Sequence, residues 1–339
     1  ARMSSVAVLA SIGMAFSSAP RSQPRHSELY PAYFDSLPSM AGKTVVITGA
    51  SRGLGYVTAL SVARKGAAVF MVGRRSARAD ESLESIRIAS TGPAPQLVEC
   101  DLLDFGSVRK AAAALKERAG DIDALCCNAG IMMQPDEASK DGYDVTIATN
   151  VLSHFLLTRE LLPALEAAAE RRGEARVVSM SSGSGFGAPR LDPAVYERRG
   201  GRLGGGPRGM YERYHQSKLG NLVFTAALDE RLRRRGSRVK ALACTPGVCA
   251  TDMFVHVRTL SNPNAPVDLA AVPSPEDGCL AQLKCLCDPA VHSGELHGPP
   301  GLGGLPVQTP LAPPTVLVDD DAKAQLWQAC ESAVGAWAL

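Results

Sequence analysis

KTVVITGASRGLG, residues 43–55, begins as a short apolar run and ends in a turn holding three glycines. The run reads as a buried strand, and the Ala- and Leu-containing pattern over residues 56–65 predicts a helix opening directly from the turn. Gly49, Gly53 and Gly55 allow tight turning and close approach of the backbone to a bound group, with Ser51, Arg52 and Leu54 completing the same turn. A helix N-terminus at that point offers unpaired N–H groups and a favourable dipole to an anion. Strand, glycine turn and helix in this order therefore predict a cradle for the pyrophosphate of a dinucleotide.

The same texture continues outward. AAVFMVGRR, PQLVECDLLD, DALCCNAG, ARVVSMSS and VKALACTPG each read as a buried strand ending in a polar or glycine-containing turn. Helices are predicted over 79–88, 107–118, 142–169 with a break near Pro163, and 214–235. Regular alternation of strand and helix predicts an α/β fold, a single doubly wound Rossmann-type domain over residues 42–339 with helices on both faces of a parallel sheet. Ligands of such sheets bind outside the carboxyl ends of the strands.

Those strand ends carry the cofactor prediction. NAD-selective folds place an acid about 20 positions beyond the glycines, whereas here the second strand ends in Gly73, Arg74 and Arg75. Guanidinium groups match phosphate oxygens, and Arg52 is near enough in sequence to share one, so NADP(H) is preferred over NAD(H). A solvated arginine pair on a surface turn is the plainer alternative. Asp101 and Leu102, ending the third strand, are candidates for the adenine, although Asp there is also an ordinary turn residue.

Bulk properties exclude several function classes. The 339 residues are 45% hydrophobic, enough for a sizeable core, and the net charge is +2, so no global field points to nucleic acid or an acidic membrane. Nine scattered cysteines read as reduced core thiols, with Cys285 and Cys287 as a metal or redox pair the lesser reading, and no metal site is predicted. Residues 1–41 form an N-terminal arm whose first 27 positions lack Asp and Glu. That composition is like an organelle transit segment, plastid before mitochondrion, with a start at Ala1 that fits prior removal of an upstream piece; a flexible arm on a cytoplasmic protein is the alternative. Val6 to Phe16 is too short to span a bilayer.

YHQSK, residues 214–218, puts Tyr214 and Lys218 one helical turn apart, so both side chains share a face. An adjacent ammonium favours phenolate and is expected to bring the Tyr214 hydroxyl down toward neutrality. With TGASRGLG, CNAG at 127–130, Asn150 in ATNVLSHF, VVSMSS at 177–182 and PGVCAT at 246–251, the chain resembles the short-chain dehydrogenase/reductases over about residues 42–337. CCNAGIMMQP, KDGYDVTIATNVLSHFLLTRELLPAL and LWQACESAVG are similar to its retinol-dehydrogenase-like branch, and protochlorophyllide oxidoreductases share part of that texture.

The resemblance implies a tetrad of Asn150, Ser182, Tyr214 and Lys218. Tyr214 is then the general acid/base, Lys218 binds the nicotinamide ribose, Ser182 in preference to Ser181 holds the substrate oxygen, and Asn150 positions a relay water. It also implies cofactor contacts from Asn128, Ala129, Gly130, Pro246, Gly247, Val248 and Thr251, the last toward the carboxamide; Thr251 as a helix N-cap is the plainer alternative.

Two departures stand out. Cys127 replaces the first of two asparagines usual before AG. A Gly/Arg-rich insertion at about 197–210 precedes Tyr214, and its composition predicts a mobile or partner-bound loop. Residues 297–314 read as a covering loop. The leading function is NADP(H)-dependent hydride transfer with a hydrophobic, retinal-like carbonyl or alcohol. A protochlorophyllide reductase-like enzyme and a structural subunit of an organellar assembly are the alternatives; the arm and the insertion are the candidate protein-docking segments, and self-association is open.

Overall fold

The computed structural model describes residues 22–311 and 318–339. Eight strands form one sheet in the order β3-β2-β1-β4-β5-β6-β7-β8. They are β1 Thr44–Thr48, β2 Ala68–Gly73, β3 Gln96–Glu99, β4 Ala124–Cys127, β5 Ala175–Met180, β6 Val239–Cys244, β7 Leu296–Gly298 and β8 Val307–Thr309. The first seven are parallel, and β8 turns back antiparallel along β7. β1 is β-branched at every position, which suits a pleated ribbon covered on both faces. This is the doubly wound α/β arrangement predicted from the alternation.

Helices α1 Tyr30–Ser36, α2 Gly53–Arg64, α3 Ala77–Ala89 and α4 Phe105–Ala119 come first, followed by α5 Val145–Ile147 and α6 Ser153–Arg172. Then come α7 Gly206–Arg234, α8 Asp252–Ser261, α9 Pro275–Gly278, α10 Leu280–Cys287 and α11 Asp320–Val334. One apolar layer gathers α4, α6, α7 and α11 on a face of the sheet, and the other gathers α1, α2 and α10. In the first, Phe155 stands edge-on to Trp327 and Trp337, each with ring centroids 5.0 Å away. All nine cysteines are buried and form no disulfide, eight of them within these layers.

Several local readings change. The segment 142–169 divides into α5, a π-helical turn over Ala148–Leu152, and α6, which then runs unbroken through Pro163 because Leu157, Leu161, Leu162 and Leu165 bury there. α7 begins eight residues before Tyr214, with Pro207 in its first turn.

The Gly/Arg insertion docks within its own chain: the Asp136 carboxylate accepts N–H groups from Gly201, Leu203 and Gly204 at 2.7–2.8 Å. Its backbone is thereby tied down as a flap against the loop after β4, and Arg199 and Arg208 pair with Glu197 and Glu212. The segment after His297 likewise contributes β8 to the sheet edge, while positions 312–317 lie outside the described residues.

The arm also joins the domain before residue 42. The Asp277 carboxylate accepts the N–H groups of Glu28, Leu29 and Tyr30 at 2.9–3.1 Å, which satisfies the start of α1 from a distant loop. Tyr30, Phe34, Leu37 and Met40 are buried against α2 and α10. Residues 1–21, with the transit-like stretch, lie outside the described residues. Among the described residues no helix is long and apolar enough to cross a membrane.

Candidate active site

The glycine turn is shaped by contacts that only glycine permits. Gly49 and Gly53 have φ of 69° and 54°, and a Cβ on Gly55 would collide with the Gly49 carbonyl and the Asn128 amide. The hollow that results at the N-terminus of α2 fits the pyrophosphate of a dinucleotide. The Thr48 hydroxyl, at the end of β1, accepts the N–H groups of Asn128 and Ala129 at 3.0 and 2.9 Å. Asn128 returns an amide bond to the Thr48 carbonyl at 2.8 Å, and so locks the loop after β4 against the turn. Cys127, in place of an asparagine, is buried with its sulfur 3.9 Å from Thr158.

Four side chains converge beyond the ends of β4 and β5. Asn150 lies in the π-helical turn; its Oδ1 accepts Ile131 N–H at 2.9 Å, and its Nδ2 donates to the Ile131 carbonyl and the Ser217 hydroxyl. Gly130 separates it from Lys218: a Cβ there would stand 3.5 Å from both Asn150 Oδ1 and Lys218 Nζ. Lys218 Nζ donates to the Met180 carbonyl at 2.9 Å and lies 5.6 Å from the centre of the Tyr214 ring. Ser182 accepts the Ser184 N–H at 3.2 Å with its side chain near the Tyr214 hydroxyl, whereas Ser181 turns away and donates to the Lys218 carbonyl at 2.8 Å. The two serines therefore have different neighbours, the backbone of α7 for Ser181 and the phenol side for Ser182.

The chain and its fold have counterparts among known proteins. The family model for short chain dehydrogenase matches residues 43–196. A polyprenol dehydrogenase of Mus musculus is 31% identical over 86% of this chain and 83% of its own. Human retinol dehydrogenase 13 is 32% identical over 71% of each chain. A crystal structure of a protein from Mycobacterium paratuberculosis superposes with a TM-score of 0.70 at 30% identity, covering 90% of this chain and 98% of that one. This chain is a short-chain dehydrogenase/reductase. Within that family it belongs to the retinol-dehydrogenase-like branch.

In this short-chain dehydrogenase/reductase, burial sets the electrostatics of the site. Tyr214 is pushed up to about 12 by desolvation, with the nearby Ser182 hydroxyl opposing, and Lys218 is pushed down to about 8 by the same burial. The sequence reading had the ammonium bringing the phenol down. Burial pushes the other way, and the Met253 sulfur lies 3.9 Å from the Tyr214 hydroxyl.

A residue the sequence reading missed joins turn and tetrad. His154 Nδ1 lies 3.2 Å from the Asn150 carbonyl and Nε2 lies 2.9 Å from the Thr48 hydroxyl. A carbonyl only accepts, so Nδ1 carries the proton and Nε2 receives the Thr48 hydrogen. Burial pushes His154 down to about 4, which keeps that tautomer neutral. A histidine inside the apolar run LSHFLL is the one sequence signal for it.

The nucleotide side holds more arginine than predicted. Arg74 lines a crevice with Ala50, Ser51, Val72, Gly73 and Leu97, and Arg75 pairs with Asp80 at 3.1 Å. Arg52 and Arg78, the latter unpredicted, both reach the Asp252 carboxylate, at 3.3 and 2.9 Å. Asp101 accepts the Leu103 N–H at 3.0 Å, which makes it a turn residue in this structure, and the Leu102 carbonyl accepts from Ser153. Pro246, Gly247 and Val248 form the loop after β6; Val248 N–H donates to the Leu302 carbonyl at 2.9 Å, and Gly247 has φ of 71°. Thr251 caps α8 by accepting Phe254 N–H at 3.4 Å, while its methyl faces Gly53 across the cleft.

Proposed function

We propose that this chain is an NADP(H)-dependent oxidoreductase interconverting a hydrophobic, retinal-like carbonyl and its alcohol. The observation that carries the reading is the buried Tyr214 hydroxyl with Ser182 near it, one helical turn from Lys218 and beside the glycine cradle. When bound, the dinucleotide supplies or removes hydride at the substrate carbon. Burial keeps the proton on Tyr214 Oη across the neutral range, ready to be given to a substrate oxygen. Ser182 Oγ, near that hydroxyl, holds the same oxygen, and the Lys218 ammonium stabilises the phenolate left behind. Asn150 keeps the loop at Ile131 beside Lys218.

Preference for NADP(H) rests on Arg52, Arg74 and Arg78 near the end of β2, where the residues that follow the strand, Arg74 and Arg75, are basic and not acidic. Hydrophobic substrate is supported by the relatives, which are named for retinol and for polyprenol. The pigment reading gains no support from those names. NADPH consumption with a panel of hydrophobic aldehydes and ketones tests the proposal. Tyr214→Phe should keep NADPH binding and lose turnover by about 100-fold or more; equal turnover in both proteins would refute the role of Tyr214.

A further inference from the structure

The first two residues of α8 connect the ends of the cofactor cleft. Asp252 gathers Arg52 from the glycine turn and Arg78 from α3 onto one carboxylate oxygen. Met253, next in the chain, lays its sulfur on the Tyr214 hydroxyl. One turn further, His256 Nε2 lies 3.4 Å from the Met133 carbonyl, on the loop after β4. Thr251, just before them, leans on Gly53. The helix that covers the reacting hydroxyl is therefore tied at its first residue to guanidinium groups on the nucleotide side.

We propose that Asp252 is an internal stand-in for the 2′-phosphate of the dinucleotide, a selectivity residue that holds Arg52 and Arg78 until that phosphate displaces it. The inference rests on the NADP(H) reading above. Exposure makes the exchange feasible. Asp252 is 35% exposed and the two arginines 43% and 46%, so the pairs are wet and weak, unlike a buried ion pair. A phosphate monoester brings close to two negative charges and three acceptor oxygens against the single charge of a carboxylate, so it wins the guanidinium groups. NAD(H) presents no anion at this position and leaves Asp252 in place. Displacement releases the first turn of α8 from the arginines, and with it the segment that carries Met253.

Binding of NADPH and NADH to wild type, Asp252→Asn and Arg78→Gln, followed by nucleotide fluorescence, tests this directly. Asp252→Asn removes the competing anion and should tighten NADPH binding about three- to tenfold while NADH binding moves less than about twofold. Arg78→Gln should weaken NADPH binding by a similar factor and spare NADH. Adenosine 2′-monophosphate should speed amide exchange at residues 252–261 in wild type, and Asp252→Asn should show the faster exchange without it. NADPH binding that is unchanged or weaker in Asp252→Asn overturns the stand-in role, as does an Arg78→Gln variant that binds NADPH normally. Wild type that binds NADH as tightly as NADPH would remove the NADP(H) reading itself, a result separable from the other two.

Discussion

His154 shows how one side chain can serve the site without touching a reactant. It bridges the Thr48 hydroxyl, which organises the glycine turn, and the carbonyl of Asn150, and it does so only in the neutral tautomer. Unfolded, this histidine takes a proton near its ordinary value of 6.5; folded, it resists down to about 4. Between those values the unfolded chain holds more protons, so the stability contribution is complete above pH 6.5 and is lost as pH falls toward 4. At about 1.4 kcal/mol per pH unit, roughly 2 kcal/mol disappears between pH 6.5 and 5. Glutamine can still donate to Asn150 and accept from Thr48 without titrating. Urea unfolding at pH 7 and pH 5 should therefore show a smaller acid penalty in His154→Gln than in wild type; identical penalties would mean that His154 titrates normally.

Elements are joined by an ion pair that sequence reading passed over. Arg213 and Asp144 meet at 2.9 Å with both side chains buried, close but out of line for a hydrogen bond. The same guanidinium donates to the Gly204 carbonyl of the flap at 2.8 Å and to Gln134 at 3.2 Å. Asp144 in turn accepts the first N–H groups of α5, which leads into the turn bearing Asn150. Burial pushes the Asp144 carboxyl up, opposed by the Ile147 N–H, the Arg213 guanidinium and the Thr146 N–H. Arg213→Met should lose about 3–5 kcal/mol in guanidinium unfolding, since a buried charge is left alone. Adding Asp144→Asn keeps the cap without the charge and should restore a large part; a double variant as unstable as Arg213→Met would show that the charge was not the cause. Arg213 immediately precedes Tyr214, so this pair also aligns the helix carrying the proposed acid/base with the one carrying Asn150.

At the scale of the whole molecule, α1 belongs to the packed structure even though composition assigns it to an arm. Tyr30, Phe34, Leu37 and Met40 bury on α2 and α10, and Arg64 and Lys65 lie over the Phe34 ring at 4.3 and 4.6 Å. At about 1.5–3 kcal/mol for each buried apolar side chain, removing four costs an amount comparable to the total stability of a typical domain. A chain beginning at residue 42 should accordingly melt at least about 10 °C lower than the full chain, or fail to fold, by thermal unfolding. An unchanged melting temperature would show that α1 adds nothing to the core.

What the sequence by itself determined was everything local in origin. Strand and helix alternation, the glycine turn of residues 49–55 and the Tyr214/Lys218 spacing follow from backbone sterics, side-chain period and turn chemistry, which act over a few residues. Even there, Pro163 and the start of α7 were misread, because burial and a first-turn proline overrode propensity. Only the tertiary structure decided how Arg78 meets Asp252, 174 positions away, how Asp277 receives the start of α1, how Asp136 fastens the Gly/Arg flap, and that burial rather than the lysine governs the Tyr214 proton. Those contacts join ordinary residue types across long separations, where no period marks them, and desolvation exists only once the chain has closed around the site.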